Sequence, residues 1–190
     1  MTATKVFSVI TLLLILPACS SVINATRDEP IIEDKSERSL GEIIDDEIIE
    51  TKALVNLRET SPELDQAHLV VVSYNGTVLL AGQVPSEDIA QQAGAIVKNL
   101  GEVQTLHNQL TVEPALGLGT RTSDTWITSK LKTKMLADGA IDGGNIKVVT
   151  ENSTVYLLGL INREMATKAA DLARNTSGVE RVVKIFEYID

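Results

Sequence analysis

The sequence is short of aromatic, histidine and cysteine side chains. Aromatic residues make up 3% of the 190 residues, and there are only two histidines and one cysteine. A single cysteine excludes an internal disulfide and a cysteine-rich metal site. The cores must therefore be built from Val, Ile, Leu and Ala, and few side chains remain from which a catalytic group could be assembled.

Basic side chains are also in the minority. Lys and Arg number 17 against 26 Asp and Glu, which gives a formal net charge of −9. A chain of this charge is not drawn to nucleic acid or to anionic lipid by its overall field. No nucleic-acid partner is predicted, and any anionic partner must meet a local basic patch.

The first residues have the pattern of an export signal. Lys5 precedes an apolar run over residues 6–16, which is too short to cross a bilayer because that needs roughly 20 residues. Leu16-Pro17-Ala18-Cys19 resembles the lipobox of lipoprotein signal peptidase substrates. Residues 1–18 are therefore predicted to be a lipoprotein signal peptide. The alternative is an ordinary secretory signal followed by a chance cysteine.

Cleavage would make Cys19 the first residue of the mature chain. The resemblance to lipoproteins implies acylation of that cysteine with fatty acids such as palmitate, and two or more chains make membrane attachment stable. Ser20 follows instead of aspartate, which resembles the pattern sorted to the outer membrane of enteric-type bacteria. The predicted location is the periplasmic face of the outer membrane, with residues 19–41 as an acidic tether.

The remainder of the chain contains an internal repeat. Three pairs of segments align in the same order: 46–52 with 124–130, 75–82 with 152–159, and 103–106 with 179–182. A shared order of elements is stronger evidence than any single segment. The predicted domains are residues 42–113 and 123–190, joined by a linker at 114–122.

Each copy has the pattern αββαβ. Helices are predicted at 44–58 and 124–137, and each is followed by a hairpin, a second helix capped by Ser86 or Asn162, and a last strand. The predicted strands are 68–74, 77–84, 103–112, 146–150, 154–161 and 179–189. Asn75-Gly76 between alternating apolar runs is a strong hairpin signal.

This order predicts an α+β fold with two tandem units, each a three-stranded mixed sheet covered by two helices. Ile89, Ala93, Ile96 and Leu100 are predicted to form the core stripe of the second helix. Gly82 and Gly159 are expected where a helix crosses its strand. Units of about 70 residues have thin cores, so the two are expected to pack together.

The repeat resembles a known family. The αββαβ pattern, with Gly82 or Gly159 in the hairpin and Gly178-Val179-Glu180-Arg181-Val182 near the end, looks like a BON domain. Two such units behind a lipobox are similar to outer-membrane lipoproteins with two BON domains. That resemblance implies phospholipid binding, a role in envelope integrity, and no catalytic residues. Partners could then include an anionic phospholipid membrane and envelope or cell-division proteins.

No motif in the sequence predicts an enzyme or a cofactor site. His68 and His107 both fall on strands, and a structural role is favoured for them over a catalytic one. The segment 138–145 hints at a calcium loop, but Ala140 stands where an EF-hand needs a ligand. A glycine-rich connection is the preferred interpretation, and neither a metal nor a cofactor is predicted.

The first helices of the two copies differ in charge. The earlier one is rich in Asp and Glu, whereas Arg121, Lys130, Lys132 and Lys134 lie in and around its counterpart, against Asp124 alone. At 100° per residue, Ile127, Leu131 and Met135 share the core face and Trp126 falls outside it. A tryptophan beside lysines suits a lipid headgroup interface. The predicted phospholipid-binding residues are Arg121, Trp126, Lys130, Thr133, Lys134 and Leu136.

Two alternatives remain open from the sequence. Trp126 could pack against the first domain while the lysines are simply solvated. The chain could also be a lipid-tethered adaptor, whose acidic first helix or basic counterpart docks an envelope protein without reading lipid.

Overall fold

A computed structural model of the chain describes residues 38–114 and 117–190. The predictions for the signal peptide, for Cys19 and for most of the tether lie outside the described residues. All the helices and strands below belong to one compact unit, Lys35–Asp190.

The described residues form two copies of the predicted order, with two short helices in addition. The first copy consists of α1 (Leu40–Thr60), α2 (Pro62–Gln66), β1 (His68–Tyr74), β2 (Thr77–Val84), α3 (Glu87–Lys98) and β3 (Thr105–Val112). The second consists of α4 (Leu118–Ala137), a 3-10 turn (Gly143–Asn145), β4 (Ile146–Glu151), β5 (Thr154–Ile161), α5 (Arg163–Arg174) and β6 (Arg181–Tyr188).

The helix ends follow local capping chemistry. Ser39 and Glu42 form a capping box at the start of α1, so residues 40 and 41 belong to the helix and not to the tether. Ser86 and Asn162 cap α3 and α5 as predicted, each accepting a bond from the backbone three residues on. Helix α4 begins at Leu118, so the residues 118–122 assigned to the linker are helical.

Both sheets have the same topology. The central strand pairs antiparallel with the strand before it and parallel with the strand after it, in the orders β1-β2-β3 and β4-β5-β6. Positive φ angles of 52° at Asn75 and 72° at Gly76 fit the tight hairpin turn. The corresponding turn in the second copy has Asn152 at 48° and Ser153 at 56°. The predicted mixed sheets are confirmed.

The central strands β2 and β5 are buried on both faces. On β2, Val78 and Leu80 pack into a core with α1 and α3, whereas Leu79 and Ala81 point the other way. The second group belongs to a cluster drawn from both sheets, which includes Tyr74, Leu79, Ala81, Tyr156, Leu158 and Ile185. The two sheets therefore pack face to face with the helices outside. This agrees with the expectation that the two units pack together.

Polar side chains bridge the two copies at the edges of this interface. Glu187 accepts hydrogen bonds from Asn75 Nδ2 at 3.1 Å and from Thr77 Oγ1 at 2.5 Å. Lys147 Nζ lies 2.7 Å from Glu50 Oε1, and so joins β4 to α1. These contacts fix the register of one sheet on the other.

The strand glycines mark a close approach between strands, which corrects the expectation that a helix crosses there. A Cβ on Gly82 would lie 1.9 Å from the carbonyl oxygen of His68, on β1. A Cβ on Gly159 would lie 2.5 Å from the carbonyl oxygen of Asn145, just before β4. Each glycine lets the first strand of its hairpin pass directly against the second.

The core face of α3 lies slightly to one side of the predicted stripe. Its fully buried residues are Ala90, Ala93, Gly94 and Val97. The predicted Ile89, Ile96 and Leu100 pack against the same core but are only partly buried. Small residues at the centre let α3 approach the sheet closely, and the larger side chains close the core at its rim.

Candidate functional site

Helix α4 presents its predicted core face to the second sheet. Ile127, Leu131 and Met135 are 0–1% exposed and pack with β4, β5 and α5. Trp126 lies outside this face and is 58% exposed. The indole is therefore neither sealed in the interior nor held between the two sheets, and the surface that carries it is open.

Lys130 lies one helical turn from Trp126 and covers its ring. The Lys130 Nζ is 4.5 Å from the centroid of the indole, a cation–π distance. The pair presents a flat apolar surface and a positive charge at the same point. Amphipathic rings and long basic side chains are enriched where a polar layer meets an apolar one.

A row of hydroxyl groups runs along α4 beside this pair. Thr125, Ser129 and Thr133 each donate to the backbone carbonyl four residues earlier, at 2.9 Å in each case. Their protons are thereby satisfied within the helix. This face of α4 can approach a poorly hydrated surface without leaving hydroxyl donors unpaired.

The other predicted phospholipid-binding residues of α4 differ in how far they are buried. Leu136 is 72% exposed, one turn beyond Thr133. Lys134 is half-buried, and its Nζ donates to Thr176 Oγ1 at 3.1 Å. Arg121 is half-buried and lines a cavity of about 320 Å³ together with His68 and Glu151.

The structure thus brings Trp126, Lys130 and Thr133 together on one open face of α4. Leu136 lies at the edge of that face and Lys134 on its flank, where Lys134 also meets the body of the protein. Arg121 lies on another side of the helix, in the cavity beside His68 and Glu151. The assignment of all six residues to lipid contact stays a prediction. Trp126 and Lys130 are its best-placed members.

The counterpart helix α1 holds a buried aspartate that the sequence analysis did not single out. Asp46 lies almost two turns into the helix and is 3% exposed. Its carboxylate accepts from Ser73 Oγ at 2.6 Å and from the amides of Asn75 and Gly76 at 2.8 and 3.0 Å. Arg38 Nη1 donates to it at 2.6 Å.

The same hydrogen-bonding arrangement occurs in the second copy. Asp124, 4% exposed, accepts from the amides of Asn152 and Ser153 at 2.9 and 3.0 Å. In each copy, an aspartate of the first helix therefore closes the hairpin turn. The alignment of Asp46 with Asp124 in the repeat is the sequence feature that could have revealed this role. Both hairpin turns need a group that accepts hydrogen bonds from their backbone N–H groups.

The bonds to Asp46 also set its protonation. Burial alone would raise the pKa of this carboxyl, but the hydrogen bonds from Gly76, Ser73, Asn75 and Arg38 together outweigh burial. The pKa of Asp46 is therefore held below its ordinary value of 3.8. The Asp46 carboxylate is therefore ionised at neutral pH.

A second exposed surface lies on α1, opposite its core face. Leu40, Ile44, Ile48 and Val55 are all exposed and share one side of the helix. Exposed carboxylates of Asp45, Glu47 and Glu59 lie beside this α1 stripe, and Arg58 is the exposed base on the same side. Helix α1 is thus apolar on both sides, with mainly acidic charges around the outer one.

Acidic and histidine side chains do not cluster in the part of the chain that the structure describes. Among residues 38–114 and 117–190, no three His, Cys, Asp or Glu side chains could hold a metal ion together. His68 Nε2 lies 3.3 Å from Glu151 Oε2, at the boundary between the two copies. No helix of this part of the chain is long and apolar enough to span a bilayer.

The fold and its duplication agree with a match to a known family. The BON domain model matches twice, at residues 45–114 and 123–190. The chain belongs to the BON-domain family, with two copies of the domain.

Comparison with individual proteins narrows the class. The chain is 39% identical to the outer membrane lipoprotein DolP of Haemophilus influenzae, over 80% of this chain and 79% of that protein. It is 35% identical to the 21 kDa hemolysin of Actinobacillus pleuropneumoniae, over 80% and 78%. It is 27% identical to the osmotically-inducible protein Y of Escherichia coli K12, over 78% and 75%.

These similarities confirm the predicted class, an outer-membrane lipoprotein with two BON domains of the DolP type. None of the three relatives carries the name of an enzyme, which agrees with the prediction of a non-enzymatic protein.

Proposed function

We propose that this protein binds anionic phospholipid through the open face of α4, and that it thereby supports the integrity of the envelope. The observation that carries the proposal is the exposed Trp126 indole with the Lys130 ammonium over its ring. Amphipathic rings sit at the boundary between headgroups and hydrocarbon, and ammonium groups pair with phosphates there.

The charges of α4 make this contact selective. The overall net charge of −9 opposes binding to anionic lipid, so the local basic residues must provide the attraction. Each basic residue at an anionic membrane surface contributes about 1 kcal/mol. Lys130, Lys132 and Lys134 with one tryptophan would give weak binding on their own.

Attachment of the chain by lipid on Cys19 would make weak binding sufficient. An anchored molecule meets the membrane at a high effective concentration, so a contact of low affinity is occupied most of the time. In this proposal the acyl chains determine that the protein stays at the membrane. Helix α4 determines which lipids lie beneath it.

We expect Trp126→Glu to weaken binding to anionic vesicles by about tenfold or more, because it removes the ring and adds a repelled charge. The test is co-flotation of the anchor-free compact unit, Lys35–Asp190, with vesicles of anionic or purely zwitterionic lipid. Binding of the unmodified unit should require anionic lipid and should fall as salt is raised.

Val55→Glu is the matched control, because it makes the same kind of change at an exposed apolar residue of α1. It should leave vesicle binding unchanged. Equal binding of Trp126→Glu and the unmodified unit would refute the proposal.

The α1 stripe supports a second candidate function, a lipid-tethered adaptor for an envelope protein. Exposed apolar side chains at helical spacing, away from the core, are typical of a docking surface. The surrounding carboxylates favour a partner with a basic rim. This function does not depend on α4.

We expect Ile44→Glu to abolish recovery of such a partner after crosslinking in cells, because it places a charge in the centre of the α1 stripe. Trp126→Glu is the control here and should leave recovery intact. Loss of the partner with Trp126→Glu alone would assign docking to α4 instead.

A further inference from the structure

The cavity that contains Arg121 lies at the boundary between the two domains, beside the first half of α4. Its volume is about 320 Å³, within the range of small-molecule sites. Residues of α4 and β4 form most of its lining, and His68 of β1 is the residue that the first domain contributes. A ligand held here would contact both domains.

Most polar groups of this lining can only accept hydrogen bonds. The Thr125 and Ser129 hydroxyls each donate their proton to a backbone carbonyl at 2.9 Å, so their oxygens are left as acceptors. The carboxylate of Glu151, a residue that is 8% exposed, lies 2.7 Å from Gln83 Nε2 and 3.3 Å from His68 Nε2. Each carboxylate oxygen has two lone pairs, so each can accept one more bond.

Arg121 supplies donor groups to the same cavity. Its side chain is half-buried, and its guanidinium forms no ion pair in the part of the chain that the structure describes. Guanidinium N–H groups donate and never accept. The lining thus places a strong donor among several acceptors.

The charges of the lining disfavour an ionic ligand. Asp124 and Glu151 are buried carboxylates that would repel an anion, and Arg121 would repel a cation. A metal ion is a poorer fit still, because no three acidic or histidine side chains among residues 38–114 and 117–190 come together as ligands. A neutral ligand that mainly donates hydrogen bonds matches the cavity best.

We infer that this cavity binds a neutral polyol, either a sugar ring or an open-chain molecule such as glycerol. Hydroxyl groups of the ligand would donate to Thr125, Ser129 and Glu151. A ligand oxygen would accept from Arg121, and adjacent hydroxyls provide both kinds of bond at neighbouring positions. This inference assigns Arg121 to the cavity and not to membrane contact.

Saturation-transfer NMR titrations test the inference on the full acylated chain in zwitterionic nanodiscs, with empty nanodiscs as the blank. The probes are D-glucose, glycerol and 1,4-dioxane, a six-membered ring that has oxygen acceptors but no hydroxyl. The better polyol should bind at least about tenfold more tightly than dioxane, because dioxane leaves the acceptors of the lining without donors. Tighter binding of glucose would identify a sugar as the ligand class, and tighter binding of glycerol an open-chain polyol.

The double variant Thr125→Ala, Ser129→Ala should weaken polyol binding by about fivefold or more. Both side chains are exposed, so the fold should be retained. Thr167→Ala is the matched control, because Thr167 is an exposed residue of α5 whose hydroxyl makes the same bond to the carbonyl four residues earlier, at 2.9 Å. It should bind the polyol as the unmodified chain does.

Arg121→Met separates the cavity from the membrane surface. It should weaken polyol binding, with its folding checked by thermal unfolding, and should leave the binding of anionic vesicles through Trp126 in place.

Equal binding of dioxane and the polyols would overturn the inference, as would unchanged polyol binding in the double alanine variant. Displacement of the polyol by inorganic phosphate would also overturn it, and would show that Arg121 holds an anion instead. These titrations contain no anionic lipid, so their result is independent of the membrane proposal.

Discussion

Replacing Gly82 with alanine is expected to destabilise the protein by at least about 3 kcal/mol. Two costs combine at this position. Its φ of +126° lies in a region that L-residues rarely adopt, and a Cβ would lie 1.9 Å from the carbonyl oxygen of His68. Neither cost can relax easily, because Gly82 and its neighbour Leu69 are paired within the sheet.

Urea denaturation followed by circular dichroism measures this loss. Gly159→Ala should cost less, because the nearest atom to its Cβ is 2.5 Å away. Gly101→Ala is the control, since nothing lies within 4 Å of its Cβ, and it should change stability by no more than about 0.5 kcal/mol. A Gly82→Ala variant as stable as Gly101→Ala would contradict the strand contact.

Asp46→Ala is expected to lower the free energy of unfolding by about 3–5 kcal/mol. The substitution leaves the amides of Asn75 and Gly76 without their acceptor and Arg38 without its partner. Asp45→Ala, next to it but exposed, is the control and should have little effect. Urea denaturation again provides the measurement.

The charge of Asp46 adds a pH dependence to this comparison. Because its pKa in the fold lies below the ordinary value of 3.8, its ionised form stabilises the fold fully above that pH. The contribution is lost as the pH falls below 3.8 towards the pKa of the folded state. The gap in stability between the unmodified protein and Asp46→Ala should therefore narrow on acidification through this range. A constant gap would show that the carboxylate acts only by its shape.

The fold could be predicted from the sequence because its signals are local and occur twice. The Asn75-Gly76 turn, the Ser86 and Asn162 caps and the alternating strands are short-range patterns, and the structure confirms each of them. The exposed position of Trp126 followed from helical periodicity alone.

The predictions that were wrong or missing concern features that depend on contacts between residues far apart in the sequence. Helix α4 begins at Leu118 although Gly117 and Gly119 have the composition of a linker. The role of Asp46 depends on a turn 29 residues away in the chain, at Asn75, which no local rule reveals.

The face-to-face packing of the sheets has a consequence for how the molecule could be used. Because helices cover only the outer sides, α1 lies over the first sheet and α4 over the second. A molecule resting on a bilayer through the open face of α4 would leave the α1 stripe free of that contact. The protein would then be able to engage lipid through one domain and a soluble neighbour through the other at the same time.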